Sequence, residues 1–239
     1  IKNNLGMTPF MEFVLRNNFQ IANLLIKNRV DINAQNKKGN TALLICLNKL
    51  TTERYRYAQT HFTKTLKYLL KKNVNVNVRN NLSTTPLMQA CYARNAFAVK
   101  KLIKLGANVN ARDKYNYTPL FFTIVYRKYF KIASLLIKHG ADINAKFRGG
   151  FGFGQTLLSR CIGQSNNFDK IKFLVSHGID INAIDSKGMN ALHYECSKPR
   201  ANDNIVKYLI ENGINFKQRD KFKNTALHYA IMYGRYGIA

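Results

Sequence analysis

The sequence predicts an all-α repeat solenoid, made of helix-turn-helix units with protruding β-hairpin loops. Two registers carry the prediction. A marker residue recurs as Thr8, Thr41, Thr85, Thr118, Thr156, Asn190 and Thr225, at spacings of 33, 44, 33, 38, 34 and 35. Asn33, Asn77, Asn110, Asn144, Asn182 and Lys217 keep step with it at 44, 33, 34, 38 and 35. Two independent markers drifting together define a stack of small units rather than one globular core. The approximate units are 1–34, 35–78, 79–111, 112–145, 146–183, 184–217 and 218–239, read as one array.

Each element of the unit has a local cause. Thr-Pro at 8–9, 85–86 and 118–119 suits a helix start, because Thr caps and Pro tolerates the first turn. A second helix follows, with apolar residues at helical spacing, as in Ile132, Leu135 and Leu136. Gly106, Gly140, Gly178 and Gly213 then end it, where a left-handed residue is wanted. A short alternating stretch such as Asp142-Ile143-Asn144-Ala145 leads into the next turn. Arg29 and Asn73 replace the terminal glycine in the first two units, and Arg tolerates the left-handed region less well than Asn. The Arg29 junction is therefore expected to be strained or differently shaped. The recurrent Asn is expected to bond the adjacent loop, and Lys217 to leave the last loop less rigid.

Thr118-Pro119-Leu120 with Ile132 to Ala145, Thr85-Pro86-Leu87 with Val99 to Ala111, Asn224-Thr225-Ala226-Leu227-His228 and Asn190-Ala191-Leu192-His193 resemble the ankyrin repeat. The resemblance covers nearly the whole chain in seven copies, the last truncated, and implies a protein-binding array without chemistry of its own. It also implies a structural role for His193 and His228, whose rings would bond the turn and the neighbouring marker. His139 and His177 sit before a terminal glycine, where a partial positive charge suits a helix end. His61 falls in the inserted loop.

The composition sets further bounds. Lys and Arg number 38 against 12 acidic residues, a net charge of +26, and only Glu12, Asp31 and Glu53 precede Asp113. Such a field favours anionic partners; the Asn, Lys, Ile and Tyr bias is also what an AT-rich genome produces. No run of 18 apolar residues exists, so no membrane-spanning helix is expected, and no secretory signal opens the chain. The absent initial Met and the ending at Gly237-Ile238-Ala239, inside a seventh unit, suggest a piece of something longer. Cys46, Cys91, Cys161 and Cys196 take nearly one slot in four units and read as small core residues in a reducing, cytoplasmic setting. No C-x-x-C pair, H-E-x-x-H, P-loop or Ser-His-Asp grouping is present, so no catalytic residue, metal or cofactor is expected.

Two units depart from the pattern. The second carries 11 extra residues around Asn48 to Thr63, the difference between spacings of 44 and 33, including Glu53-Arg54-Tyr55-Arg56-Tyr57-Ala58-Gln59. An extended first helix with a longer loop is expected there, and Arg-Tyr interleaving would also suit a contact surface. The fifth carries Phe147-Arg148-Gly149-Gly150-Phe151-Gly152-Phe153-Gly154. It lacks the strand-loop-helix setting of a phosphate loop, resembles a single Arg-Gly-Gly element, and is read as a longer Phe-lined finger for a partner.

The expected binding face is concave, lined by hairpin tips and first helices, because tips are exposed and free to vary on a rigid core. Its candidate residues are Lys37, Lys38 and Asn40; Asn81 and Leu82; Lys114, Tyr115 and Tyr117; Phe147, Arg148, Phe151 and Phe153; Lys187 and Met189; and Lys221, Phe222 and Lys223. Interleaved cations and aromatics fit an acidic protein partner, with the chain itself monomeric. The alternatives are binding of nucleic acid or an anionic surface, a targeting arm for an enzyme, or a microbial or viral effector in a host cytosol.

Overall fold

The computed structural model describes residues 2–52, 56–126, 128–149, 152–164, 167–199 and 201–234. They fall into two compact units, Ile1–Lys114 with Thr118–Ala141, and Tyr115–Tyr117 with Asp142–Ala239.

The first unit holds four helix pairs. They are α1 (Pro9–Leu15) and α2 (Phe19–Lys27), α3 (Ala42–Thr52) and α4 (Arg56–Leu69), α5 (Pro86–Tyr92) and α6 (Ala96–Lys104), and α7 (Pro119–Phe121) and α8 (Phe130–Lys138). α7 widens into a π-helical turn over Phe122–Tyr126. α1, α3, α5 and α7 pack in sequence as one layer, and each packs on its own second helix. The second unit opens with an antiparallel pair, β1 (Phe147–Gly149) and β2 (Gly152–Gln155). Then come α9 (Leu157–Ile162), α10 (Phe168–Ser176), α11 (Ala191–Cys196), α12 (Asp203–Glu211) and α13 (Ala226–Met232), with α11 packed between α9 and α13.

The marker threonines start the first helices as their chemistry requires. The hydroxyls of Thr8, Thr85, Thr118 and Thr156 accept the backbone N–H three residues on, and Asn190 does the same with its side chain. Pro9, Pro86 and Pro119 occupy first-turn positions that have no helical acceptor to lose. The core runs between the helix layers, and all four cysteines are free and buried in it.

The recurrent asparagines stitch neighbouring repeats together within each unit. Asn77 Nδ2 donates to Gly106 O (3.0 Å), and its Oδ1 accepts from Asn108 N (2.8 Å). Asn182 repeats both bonds with Gly213 O (3.1 Å) and Asn215 N (2.6 Å). Asn33 Oδ1 accepts from Asn75 N, Asn110 Nδ2 donates to Gly140 O and Asn144 Oδ1 accepts from Asp180 N.

Arg29 takes the left-handed conformation (φ 59°) and keeps the glycine-type junction, with Arg29 N donating to Ile26 O and Val30 N to Leu25 O. Its junction is thus strained without being differently shaped. Asn73 avoids the left-handed region; Lys72 N donates to Leu69 O and Val74 N to Lys72 O in a tighter turn. The insertion lengthens both helices of its pair, and His61 lies on α4 rather than in a loop. Its Nε2 donates to Leu15 O (2.6 Å) and its Nδ1 accepts from Asn17 Nδ2 (3.1 Å), bracing α4 against the preceding pair. Glu53, Arg54 and Tyr55 lie outside the described residues, as does the Arg56 side chain.

Candidate functional site: the loop tips and first-helix grooves

The tips at 36–40, 80–84, 185–189 and 220–224 are each closed by one amide or carboxylate. Asn36 Oδ1 accepts from Lys38 N (2.9 Å) and Asn40 N (3.0 Å). Asn80 does so from Leu82 and Thr84, Asp185 from Lys187 and Met189, and Asp220 from Phe222 and Asn224. This side chain satisfies two turn N–H groups that no helix or sheet would reach.

Successive tips are also joined through the main chain. Lys37 N donates to Leu5 O (3.2 Å), Asn81 N to Lys38 O (3.2 Å) and Lys114 N to Leu82 O (3.1 Å) in the first unit. Arg148 N donates to Tyr115 O (3.2 Å) and Lys221 N to Lys187 O (2.9 Å) in the second. Each of these main-chain links holds the side chains of the two tips it joins at a fixed spacing. Gly39 permits the close approach: its φ is +74°, and an added Cβ would lie 2.4 Å from Asn81 Oδ1 and 2.7 Å from Asn81 N.

Two grooves follow from this. In the first unit Lys37, Lys38, Asn40, Asn81 and Leu82 border a groove of ≈ 460 Å³ floored by Leu44, Asn48 and Gln89. Lys37 and Lys38 are exposed and Leu82 half-exposed, whereas Asn40 turns inward and accepts from Asn80 Nδ2 (3.0 Å). In the second unit Lys187, Met189, Lys221 and Phe222 border a groove of ≈ 680 Å³ floored by Tyr194, Tyr229 and Tyr233. Phe222 is 78 % exposed above it.

The remaining candidates separate. Lys114, Arg148 and Lys223 are exposed at their tips, Tyr115 is half-exposed, and Tyr117 is partly buried. Two expectations are corrected. Phe147 is only 3 % exposed, its ring edge-on to Tyr117 at 5.6 Å, because β1 turns it inward instead of displaying it on a finger. Met189 is 7 % exposed, since it immediately precedes the buried cap Asn190. Phe151 lies outside the described residues, as does the Phe153 side chain.

The groove floors were not among the expected residues. The fourth residue after each marker lines them: Gln89, Tyr194 and Tyr229. The corresponding residue of the fourth copy, Phe122, stacks on Tyr126 (5.8 Å) and meets Tyr92 edge-on (6.2 Å). The signal was a second aromatic register, Phe122, Tyr194 and Tyr229, offset from the marker.

At the second groove Asp185 and Asp220 turn inward while Lys187 and Lys221 face out. Tyr229 Oη donates to Asp220 Oδ2 (2.7 Å), and Tyr194 Oη makes the same bond to Asp185 Oδ2. Burial, then the Asp220 bond, pushes Tyr229 up to about 12; burial and Asp185 raise Tyr194 likewise. Burial alone would lift Asp220, but the Tyr229 hydroxyl and the N–H groups of Asn224 and Phe222 hold it below its usual value. Burial lowers His193, whose Nδ1 meets Asn190 Oδ1 (2.7 Å) and Nε2 meets Asn224 O (3.3 Å); His228 Nδ1 meets Thr225 Oγ1 (2.8 Å). These rings hold turns, as the resemblance implied. Among the described residues no three His, Cys, Asp or Glu side chains gather as a metal site, and no helix is long and apolar enough to cross a membrane.

Comparison with solved structures finds the same fold at low identity. The crystal structure of the ankyrin repeat domain of Bcl-3, a member of the IkappaB protein family, aligns with a TM-score of 0.76 and 20 % identity, covering 96 % of this chain and 99 % of that one. A chain from the complex of the predatory endopeptidase Bd0816 of Bdellovibrio bacteriovorus with immunity protein Bd3460 aligns with a TM-score of 0.66 and 24 % identity, covering 83 % and 95 %. No curated protein sequence matches the chain. Family models described as ankyrin repeats in three and in many copies match residues 55–147 and 158–239, and 13–59. Such repeats are generally protein–protein interaction scaffolds and generally non-catalytic. With those models covering more than half its length, the chain belongs to the ankyrin repeat family.

Proposed function

We propose that the chain is a non-catalytic scaffold that holds an acidic protein segment with apolar anchors in the grooves between its loop tips and first helices. The observation carrying this reading is the pairing of exposed lysines with an exposed apolar side chain over a groove in each unit. Lys37 and Lys38 stand with Leu82 in the first, Lys187 and Lys221 with Phe222 in the second. The two aspartates nearest the second groove spend their oxygens on tip N–H groups and tyrosine hydroxyls, so lysine is the charge a partner meets. An apolar side chain over the Tyr194–Tyr229 floor supplies the anchor, and the lysine rim steers an acidic approach.

The test is capture of partners on the purified chain after nuclease treatment, at low and raised salt, in parallel with Lys37→Glu/Lys38→Glu and Phe222→Ala. A protein retained through both treatments and lost from the variants supports the reading. Recovery of nucleic acid alone, disappearing as salt rises, contradicts it.

A further inference from the structure

The second helices of the first unit carry a charge pattern that the tip grooves do not use. Lys27, Lys71, Lys104 and Lys138 each stand two residues before the junction residue of their repeat, and all four are exposed. In the second unit the same position holds Ser176 and Glu211. The ladder is therefore a property of one unit and not of the repeat.

These lysines lie in one layer. Phe19 of α2 stacks on Tyr68 of α4 at 4.3 Å, and Tyr68 Oη donates to Asn23 Oδ1 (2.8 Å). Lys67 of α4 lies over Phe97 of α6 (5.9 Å), and α6 packs on α8. Neighbouring helix axes sit about 8–10 Å apart. The rungs are then separated by about one Debye length at physiological salt, so their mutual repulsion is only partly screened.

Helix energetics does not account for the pattern. A lysine in a last turn is favoured by the helix dipole, but so is an acid in the first turn. α2, α4, α6 and α8 have no acid in the first turn and none anywhere along their length. α10 and α12 do, with Asp169 and Asp203. No acidic residue occurs between Glu53 and Asp113. Mid-helix Lys100, also exposed, adds a cation that no helix end explains.

We propose that this second-helix face docks on an anionic lipid surface. Exposed Leu24, Phe97 and Leu105 sit among the lysines: Leu24 is one turn from Lys27, Phe97 one turn from Lys100, and Leu105 follows Lys104. Lysine heads against anionic headgroups with apolar side chains dipping between them is the arrangement a bilayer interface rewards. Lysine is a compact point charge that needs no fixed fork geometry, which suits a fluid array of headgroups. A duplex phosphate backbone would leave Leu24, Phe97 and Leu105 without apolar contact.

The experiment is cosedimentation of the full chain with phosphatidylcholine vesicles, with and without phosphatidylserine, at near-physiological salt. Retention only with phosphatidylserine is expected. Neutralising Lys27→Gln/Lys71→Gln/Lys104→Gln/Lys138→Gln should weaken it by roughly five-fold per lysine, several-hundred-fold in all. The double variant Lys71→Gln/Lys104→Gln gives an intermediate loss, and Lys172→Gln/Lys207→Gln on the second unit leaves retention unchanged. Circular dichroism checks that each variant keeps its helix content; the exposed positions should leave it intact. The proposal is overturned by retention on phosphatidylcholine alone, by an unaffected quadruple variant, by equal loss in the second-unit control, or by tighter binding to duplex DNA or polyglutamate than to the anionic vesicles. The tip grooves contribute none of the substituted residues, so the outcome is independent of the partner-capture experiment.

Discussion

Tyr229 Oη donates to Asp220 Oδ2 at 2.7 Å across nine residues, tying the first helix of the last repeat to the turn before it. Tyr194 makes the same bond to Asp185, again nine residues back. One carboxylate thus closes a tip through its first oxygen and fixes a groove floor through its second.

Removing the hydroxyl while keeping the ring, Tyr229→Phe, leaves a mostly buried carboxylate oxygen without its donor. A cost of about 1.5–3 kcal/mol is expected from the charged hydrogen bond, read as a lower midpoint in urea. The pH dependence has two arms. Asp220 is depressed when folded, so its contribution is present above its unfolded value and lost as pH falls through the folded one. Tyr229 is raised to about 12, so its contribution is complete below the unfolded value near 10 and fades as pH climbs from there through about 12. Tyr229→Phe should flatten the alkaline arm; an unchanged alkaline slope would contradict the assignment.

The asparagine ladder makes its own prediction. Asn77→Ala deletes the bonds to Gly106 O and Asn108 N together. Both are exposed, so the cost should be about 1–2 kcal/mol. Hydrogen exchange should accelerate at Asn108 and remain unaltered at Asn215, whose acceptor is Asn182. Acceleration at both amides would mean general loosening rather than a lost local bond.

Two backbone substitutions should move stability in opposite directions. Gly39→Ala forces a Cβ onto Asn81 at a positive φ, and a loss of about 2–3 kcal/mol follows from the left-handed penalty plus a disturbed tip bond. Arg29→Gly relieves φ 59° and should stabilise by up to about 1 kcal/mol, part of the gain being offset by glycine's unfolded-state entropy. Thermal melts of the two variants beside the parent chain decide both.

The cysteines should be inert while the chain is folded. Burial pushes Cys161 up to about 12, despite the charges of Lys170 and Arg160, and burial with the Glu195 charge brings Cys196 up to about 11. Burial raises Cys46 and Cys91 as well. With almost no thiolate at neutral pH, iodoacetamide should modify none of the four in buffer and all four in urea, as read by mass spectrometry. Rapid labelling of Cys196 in buffer would show that its helix opens locally.

The repeat order was legible because its markers are chemical necessities: a hydroxyl or amide at each first-helix start, glycine at most left-handed junctions, and asparagine where one side chain must both donate and accept. Exposure within a tip was less legible, since one residue's shift along a turn reverses its direction. Lys187 points out while Met189, two residues on, points in. Phe147 followed the pleat of β1 inward, which the glycine-rich composition around it did not reveal. The burial of one charged side chain was not legible either. Glu195 is fully buried, pairs with Lys198 Nζ at 2.7 Å and accepts from Asn202 N (2.7 Å), yet reads in sequence as an ordinary helix acid. The groove tyrosines could have been found by registering aromatics against the marker.

The central claim, that a partner lies in the tip and first-helix grooves, is tested most directly by hydrogen exchange on the chain with and without a captured protein partner. Slowed exchange at amides 37–40 and 80–84, or 186–189 and 220–224, with the second helices unaltered, is the predicted result. Slowed exchange confined to α2, α4, α6 and α8, with the tips unaltered, would contradict it.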